Sequence, residues 1–473
     1  MKKMILNIKR AFLFLALMFA FISVSAQALR TGYFLEGDLY RYRLNPALNS
    51  VRGHVAIPVL GGIQLNTMGN VGLGNFLYDS PYDNNEMVTF MHSSVDAKEF
   101  LGDLDSENIM RLDADFTILS LAFHAMGGFN TIDLSLRSNT GLNIPYGMFE
   151  FMKDMGQENY SFSDLGMRTR NFADLSIGHS HKIGKSLTVG ARLKVLFGLA
   201  YANVNFDNMN IGMGRDKWTI SASGKADIAL GGQYTISDEP TISGKTVIDG
   251  YDDVAVGLHG FGIGTDLGVT YDFSELFLKG LTASLSVTDL GYISWSKTAR
   301  AAISPDAPYE FNGFSEMGIH SGNDKLTLDE QWEKTSDELE DFFALEDQGE
   351  GSVTSGIGAK LNFGLEYKMP FYNKLSAGFL YTHCFDDVYS YNQASLILSI
   401  SPLKVIDFAV SGTYSDYGTG FGAMANIHCK GFGFFIGTDC FLGKLGKQFV
   451  PVENMNASIS FGLNIALGRH EEE

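Results

Sequence analysis

The feature that most constrains this chain is a strict period-two alternation of side chains over unusually long stretches. Ile357, Ala359, Leu361, Phe363, Leu365 and Tyr367 alternate with Gly356, Gly358, Lys360, Asn362, Gly364 and Glu366. Successive side chains of a strand point to opposite faces, so one face is apolar and the other glycine or polar. The pattern recurs in Leu187, Val189, Ala191, Leu193, Val195, Phe197, Leu199 and Tyr201, opposite Thr188, Gly190, Arg192 and Lys194. It recurs again in Met455, Ala457, Ile459, Phe461, Leu463, Ile465 and Leu467. Such strands exceed the ~5–6 residues common in soluble sheets and match the ~9–11 needed by a tilted strand crossing a bilayer.

Further strands are expected at Phe116 to His124, Phe129 to Arg137, Phe172 to His181, Trp218 to Leu230, Phe261 to Asp272, Leu281 to Asp289, Leu375 to Phe385, Asn392 to Ser401, Val405 to Tyr414, Gly420 to Cys429 and Phe432 to Phe441. A first strand is expected from Gly53 to Leu65. Alternation alone does not separate a membrane barrel from a soluble sandwich; connection lengths do. From Phe261 onward short turns (Phe273 to Gly280, Met369 to Lys374, Pro402 to Lys404, Lys430 to Gly431) fall on one side. Long connections (Ser296 to Gly351, Gly443 to Asn454) fall on the other. Upstream the alternation slips by one, which an additional strand within Gly232 to Leu258 would repair. The expectation is an all-β transmembrane antiparallel barrel of about 14 to 16 strands, formed by one domain over residues 27–473.

Composition fits this reading. The 473 residues include 53 Gly, only 10 Pro, 36 Phe and 20 Tyr. Beyond the N-terminus no window offers the ~20 apolar residues of a helical span. A net charge of −19 speaks against nucleic-acid binding, because phosphate neutralisation needs the opposite sign. Lys2, Lys3, Lys9 and Arg10 precede an apolar run from Ala11 to Val24 and then Ser25-Ala26-Gln27, the layout of a signal peptide cleaved after Ala26. The expected destination is the outer membrane of a Gram-negative cell. Cys384, Cys429 and Cys440 are too few, and too confined to one region, to frame a disulfide-held fold.

Two inserts break the pattern. Asn143 to Gly156 reads as a short helix begun near Pro145. Leu328 to Glu350 carries ten Asp or Glu against Lys334 alone, and reads as an acidic helix with an apolar stripe of Trp332, Leu339, Phe342 and Phe343 within the insert 296–351.

Arg192, Lys194, Asp266, Lys360, Glu366 and Asp407 fall on the faces opposite the apolar stripes, which puts them in the lumen. A charge facing lipid near the midplane costs about 2–4 kcal/mol. They either pair to fill the lumen or line a solute path.

Leu44-Asn45-Pro46-Ala47-Leu48 resembles the N-terminal Asn-Pro-Ala element of FadL-like and PorV-like outer-membrane barrels. His181 to Lys194 resembles a turn and strand these families share. Gly264-Thr-Asp266-Leu-Gly268-Val-Thr-Tyr271 and Ser286-Val-Thr-Asp289-Leu-Gly291-Tyr-Ile-Ser-Trp295 extend the likeness. The chain resembles an uncharacterised family, a domain of unknown function, within that superfamily. The resemblance implies a plug or hatch within residues 27–52, around Asn45, Pro46 and Ala47. It also implies either transport or binding of a small hydrophobic or amphipathic solute, FadL-like, or a non-enzymatic, PorV-like barrel serving a secretion or surface-assembly machine. Partners implied are outer-membrane lipid, the outer-membrane assembly machinery, and either a hydrophobic small molecule or a secretion-system component. The terminal Leu467-Gly-Arg-His-Glu-Glu-Glu473 departs from the terminal aromatic such barrels usually carry.

The motifs for chemistry are incomplete. Gly178-His-Ser-His-Lys-Ile-Gly184-Lys185-Ser186 has five residues between glycines where a phosphate loop needs four. His179 and His181 share a strand face without a third ligand of evident spacing. Asp103-x-Asp105-x-Glu107 opens like a calcium loop but has Asn108 at the turn glycine and Ala114 at the bidentate position. No Gly-x-Ser-x-Gly elbow occurs. No catalytic residue, metal or cofactor is assigned, and the chain reads as a non-enzyme.

Overall fold

The computed structural model describes residues 29–58, 60–82, 87–154, 156–214, 217–237, 245–252, 257–303, 308–311, 344–440 and 456–467. The signal-peptide assignment, the Gly443 to Asn454 connection and most of the acidic insert lie outside them.

The long alternating segments close into a 14-stranded antiparallel barrel. Its strands are β1 (Gly53–Ala56 and Ile63–Gly69), β2 (Glu107–Ala125), β3 (Gly128–Pro145), β4 (Leu165–Ile183), β5 (Leu187–Met213), β6 (Trp218–Ala229 and Gly260–Asp272), β7 (Leu281–Ile303), β8 (Glu346–Gly356 and Ala359–Lys368), β9 (Leu375–Phe385), β10 (Tyr391–Leu403), β11 (Ile406–Ser415), β12 (Gly418–Cys429), β13 (Phe432–Thr438) and β14 (Ala457–Leu467). β1 closes the ring by pairing with β14 on one side and β2 on the other. Closure removes every open edge, which is what allows a sheet to sit in hydrocarbon.

One end carries short turns at 126–127, 184–186, 273–280, 369–374, 404–405 and 430–431. At the first of them Met126 and Gly127 both have positive φ (55° and 73°), the two-residue hairpin whose twist matches its strands. The other end carries the long connections, with a helix at Tyr146–Lys153 that starts behind Pro145.

The additional strand expected within Gly232 to Leu258 is not a barrel strand. Trp218–Ala229 and Gly260–Asp272 are two collinear halves of β6, both running between β5 and β7. The residues between them leave the wall as a separate hairpin, Gln233–Ile236 with Ile248–Asp252. Merging the halves restores the alternation of turns. The insert expected from Ser296 is also shorter, because β7 continues to Ile303 and β8 resumes at Glu346, so the last residues of the expected acidic helix are strand. The continuation was hidden by a register shift between Trp295 and Thr298, with Lys297 at φ 51°, which interrupts the alternation. β1 breaks between Ala56 and Ile63, where Pro58 has no N–H for a ladder.

Outside, Leu193, Ile263, Leu285, Phe363, Leu396, Val410, Phe421 and Ile436 are 41–70% exposed in a band around the barrel. An apolar band of this extent is stable only against lipid. No helix among the described residues is long and apolar enough to cross a membrane; the strands are what cross it.

Candidate functional site in the barrel lumen

Residues 29–52 run through the lumen and touch walls on opposite sides. Tyr33 Oη meets Ser284 Oγ of β7 at 3.0 Å, Arg30 Nη1 donates to Gln393 of β10 at 3.0 Å, and Tyr42 Oη donates to Asp133 of β3 at 2.8 Å. Tyr33, Phe34, Leu35, Leu39, Tyr40, Tyr42 and Leu44 are all buried, in one cluster with wall residues Ala122, Phe129, Leu380, Ile397 and Phe435.

Asn45, Pro46 and Ala47 form a tight turn, closed by the Ala47 N–H donating to Asn45 Oδ1 at 2.9 Å. It rests against Gly190 of β5 and Gly268 of β6, which face each other in register. A Cβ on Gly268 would lie 2.0 Å from Asn45 Oδ1, and one on Gly190 would lie 2.3 Å from the Pro46 carbonyl. Neither approach is physically possible, so these two positions must be glycine for the turn to seat.

Above this turn the lumen is charged. Asp133 accepts from Arg43 (2.9 Å) and Arg192 (2.8 Å); Arg192 also reaches Asp266 (3.0 Å). Lys194 joins Asp266 (2.8 Å) and Asp289 (2.6 Å), and Asp289 also accepts from Arg137 (2.7 Å) and Lys360 (3.3 Å). Arg137 further meets Asp174 at 3.2 Å. Apart from Arg43, whose side chain is 12% exposed, these side chains are buried, where each charge depends on its partners. The room left among them is about 50 Å³ for the centres of water molecules, enough for a few waters. At mid-height the lumen is therefore filled.

Of the six charges placed in the lumen from sequence, Arg192, Lys194, Asp266 and Lys360 meet in this network. Asp407 lies towards the short-turn end, accepting from Asn426 Nδ2 at 3.1 Å, with His428 Nε2 2.8 Å away. Glu366 is buried in the same half. Sequence reasoning missed Arg43, Asp115, Asp133, Arg137, Asp174 and Asp289. Asp133, Ser135, Arg137 and Asn139 do alternate with Ile132, Leu134 and Leu136, a signal that could have exposed them. Asp289 could not be found that way, because its parity is that of the lipid-facing Leu285 and Val287. A register shift between β6 and β7, with Asp289 at φ 58°, turns it inward.

Towards the long-loop end the lining changes character. Phe172, Leu196, Tyr201, Ala229, Ile293, Trp295 and Ile357 form a buried apolar cluster. The Tyr201 and Trp295 rings stack at 5.0 Å, and Trp295 Nε1 donates to Ser355 Oγ at 2.8 Å. Two members correct the expected faces. Tyr201 and Ile357 continue the apolar stripes of β5 and β8 in sequence, yet both point into the barrel. A bulge at Leu199 shifts β5, and the break at Gly358 (φ 80°) shifts β8. The cluster stands where β6 is interrupted: Ala229 pairs with Tyr201, and Gly260 pairs with both Gly198 and Trp295.

Beside it lies a second charged group. Asp386, on the connection between β9 and β10, accepts from Arg170 (2.8 Å) and Arg168 and forms an ion pair with Arg111 at 3.3 Å. Burial raises the Asp386 carboxyl, but Arg170, Arg111 and Arg168 together outweigh it and hold it below the usual range. His179 and His181 are exposed and stack at 6.0 Å near the short-turn end, with His179 Nδ1 on Asn130 at 2.9 Å. Asp105 and Glu107 hold Asn70 and Asn143 instead of converging on a cation.

The model of the Family of unknown function (DUF5723) matches residues 46–439. The chain belongs to that family. The matched span begins inside the Asn-Pro-Ala turn and includes every charged residue of the central network except Arg43. No curated protein matches significantly. Among solved structures, the chain is similar to the Ralstonia pickettii toluene transporter TbuX (9% identity, 91% of this chain and 94% of that one, TM-score 0.42). It is also similar to the Pseudomonas putida toluene transporter TodX (9%, 94% and 94%, 0.36) and to the translocator domain of the Neisseria meningitidis autotransporter NalP (9%, 89% and 90%, 0.32). Scores this low leave the function of this DUF5723 chain to be read from its own lumen.

Proposed function

We propose that the chain is an outer-membrane barrel that binds and passes a small hydrophobic or amphipathic solute, in the manner expected of a FadL-like barrel. The observation that carries this reading is the apolar cluster around Trp295, set inside the wall where β6 is interrupted and above a floor filled by paired charges. A water-filled pore would line this level with polar groups; here Phe172, Leu196, Ile293 and Ile357 pack against one another inside the barrel instead. The solute's apolar body would enter by parting these buried side chains, beside the interruption of β6. The short-turn end faces the periplasm in this reading, as short turns do in such barrels.

The test is uptake by lipopolysaccharide-containing vesicles carrying the full chain. N-phenyl-1-naphthylamine should enter faster than into protein-free vesicles, while sucrose should not. Ile357→Lys, which sets a charge among the cluster, should abolish the gain in a chain that still migrates as a folded barrel. Sucrose entering as fast as the apolar probe, or no gain for either, contradicts the proposal.

The filled floor favours a second reading, a PorV-like barrel that serves a secretion or surface-assembly machine without passing anything. That reading expects no gain in probe uptake and a protein that copurifies stoichiometrically from native membrane.

A further inference from the structure

The connection that carries Asp386 is anchored in the lumen by Tyr389, buried beside Met68 and Ile109, and its two aspartates meet three arginines. Arg111, Arg168 and Arg170 come from two strands, β2 and β4, and converge on one short connection, Asp386 to Ser390. Arg170 makes a two-pronged contact, Nη1 to Asp386 Oδ1 at 2.9 Å and Nη2 to Oδ2 at 2.8 Å. Arg168 takes Asp386 and also Asp387, at 2.8 Å. Among the described residues the wall itself supplies one carboxylate to these three guanidinia, Asp113 at 3.2 Å from Arg111. The other two come from the connection, and the Asp387 side chain is 82% exposed, held at one end only. Asp387 has φ 52°, in the left-handed region that Asp enters more readily than most residues with a Cβ. The Arg170 guanidinium is buried, and its Nε has no hydrogen-bond partner among the described residues.

Forked guanidinia facing paired oxygens are the protein's means of recognising carboxylate and phosphate. The geometry points to an oxyanion site at the long-loop end of the lumen, formed by Arg111, Arg168 and Arg170, whose occupant in this structure is the chain's own Asp386–Asp387 pair. Withdrawing the connection removes two negative charges from three positive ones and one fixed negative. The ligand that restores the balance is a doubly charged oxyanion such as a phosphate monoester. The site adjoins the apolar cluster: Arg170 pairs in register with Tyr201, which stacks on Trp295, and Arg170 Nη1 donates to the Gly356 carbonyl next to Ile357. A phosphate with an alkyl tail would find both of its parts matched. The site does not depend on passage through the barrel.

Phosphorus NMR titration of the full chain in a neutral maltoside detergent tests this, with inorganic phosphate and dodecyl phosphate as probes. Replacing the internal competitor should tighten binding, by about ten-fold for D386N/D387N and by a smaller factor for Asp387→Asn, whose exposed side chain leaves folding undisturbed. Arg168→Gln/Arg170→Gln should lose binding while keeping folded-barrel gel mobility. Equal affinity for the two probes identifies a free oxyanion as ligand; preference for dodecyl phosphate identifies an amphiphile that uses the apolar cluster. Absence of saturable binding in both the natural chain and the Asp387→Asn variant overturns the site, as does an affinity that neither Asp substitution moves. Because the readout is equilibrium binding in micelles, its failure is separate from any failure of solute uptake.

Discussion

The two halves of the lumen are built on different principles. In the short-turn half, regular strands bring charges of opposite sign face to face, and residues 29–52 fill what remains. In the long-loop half, bulges and broken strands turn aromatic residues inward, and a short connection lends two carboxylates to three arginines. The short-turn half is a seal, because its central charges Asp133, Arg137, Arg192, Lys194, Asp266 and Asp289 are all paired with one another. The irregular half stacks Tyr201 on Trp295 and pairs its guanidinia with Asp386 and the mostly exposed Asp387. Regular alternation supplies most of the floor, with Asp289 added by one register shift, while the apolar level is built mainly from bulges and breaks.

The sharpest way to break this contrast is to remove one charge from each half. Arg137→Ala leaves Asp289 and Asp174 without a principal partner in a buried site, and should cost about 3–5 kcal/mol of stability. Asp387→Ala removes a mostly exposed carboxylate and should cost under about 1 kcal/mol. Urea titration of the folded-barrel gel band compares them. Equal costs would mean that the two halves are sealed alike.

The seal also has a pH dependence of its own. Burial, the largest influence, pushes the Asp38 carboxyl up to about 7, against the Tyr40 N–H and Arg41, which lower it, with Asp407 raising it further and Arg43 lowering it. A carboxyl raised on folding stabilises the folded arrangement in its protonated form. That contribution is complete below the unfolded value and is lost as pH rises through about 7. Proteolysis within residues 29–52 should therefore quicken between about pH 5 and pH 8, and Asp38→Asn should flatten the profile. A natural chain with a flat profile would remove Asp38 from the seal.

A smaller effect sharpens the comparison. Gly268→Ala places a methyl where Asn45 Oδ1 now sits. The turn must shift at a cost of about 1–3 kcal/mol, read as faster cleavage within residues 29–52 from an otherwise intact barrel. Gly356→Ala, where a Cβ meets nothing within 4 Å, is the matched control and should leave cleavage unchanged.

The same contrast explains what the sequence disclosed. Barrel class and lumenal charges such as Arg192, Lys194 and Lys360 were legible because period two holds without interruption where they lie. Tyr201, Asp289 and Ile357 were not, because each stands just beyond a bulge or break that inverts which parity faces inward. The halves of β6 looked like two strands because 30 residues separate Ala229 from Gly260 in the chain, while Gly198 and Tyr201 receive them as neighbours on β5. Residues 29–52 carry no periodic signal, and their place in the lumen was suggested only through Asn45-Pro46-Ala47. Local regularity fails at both levels of the lumen, at Asp289 in the floor and at Tyr201 and Ile357 in the apolar cluster, and such failures are what a sequence pattern cannot show.

The central claim is a sealed floor beneath an apolar site, and planar-bilayer recording tests it most directly. Inserted in the bilayer, the natural chain should pass no steady ionic current, and a chain lacking residues 29–52 should conduct. Steady current through the natural chain would contradict the account, since an open aqueous path cannot coexist with a lumen filled by paired charges.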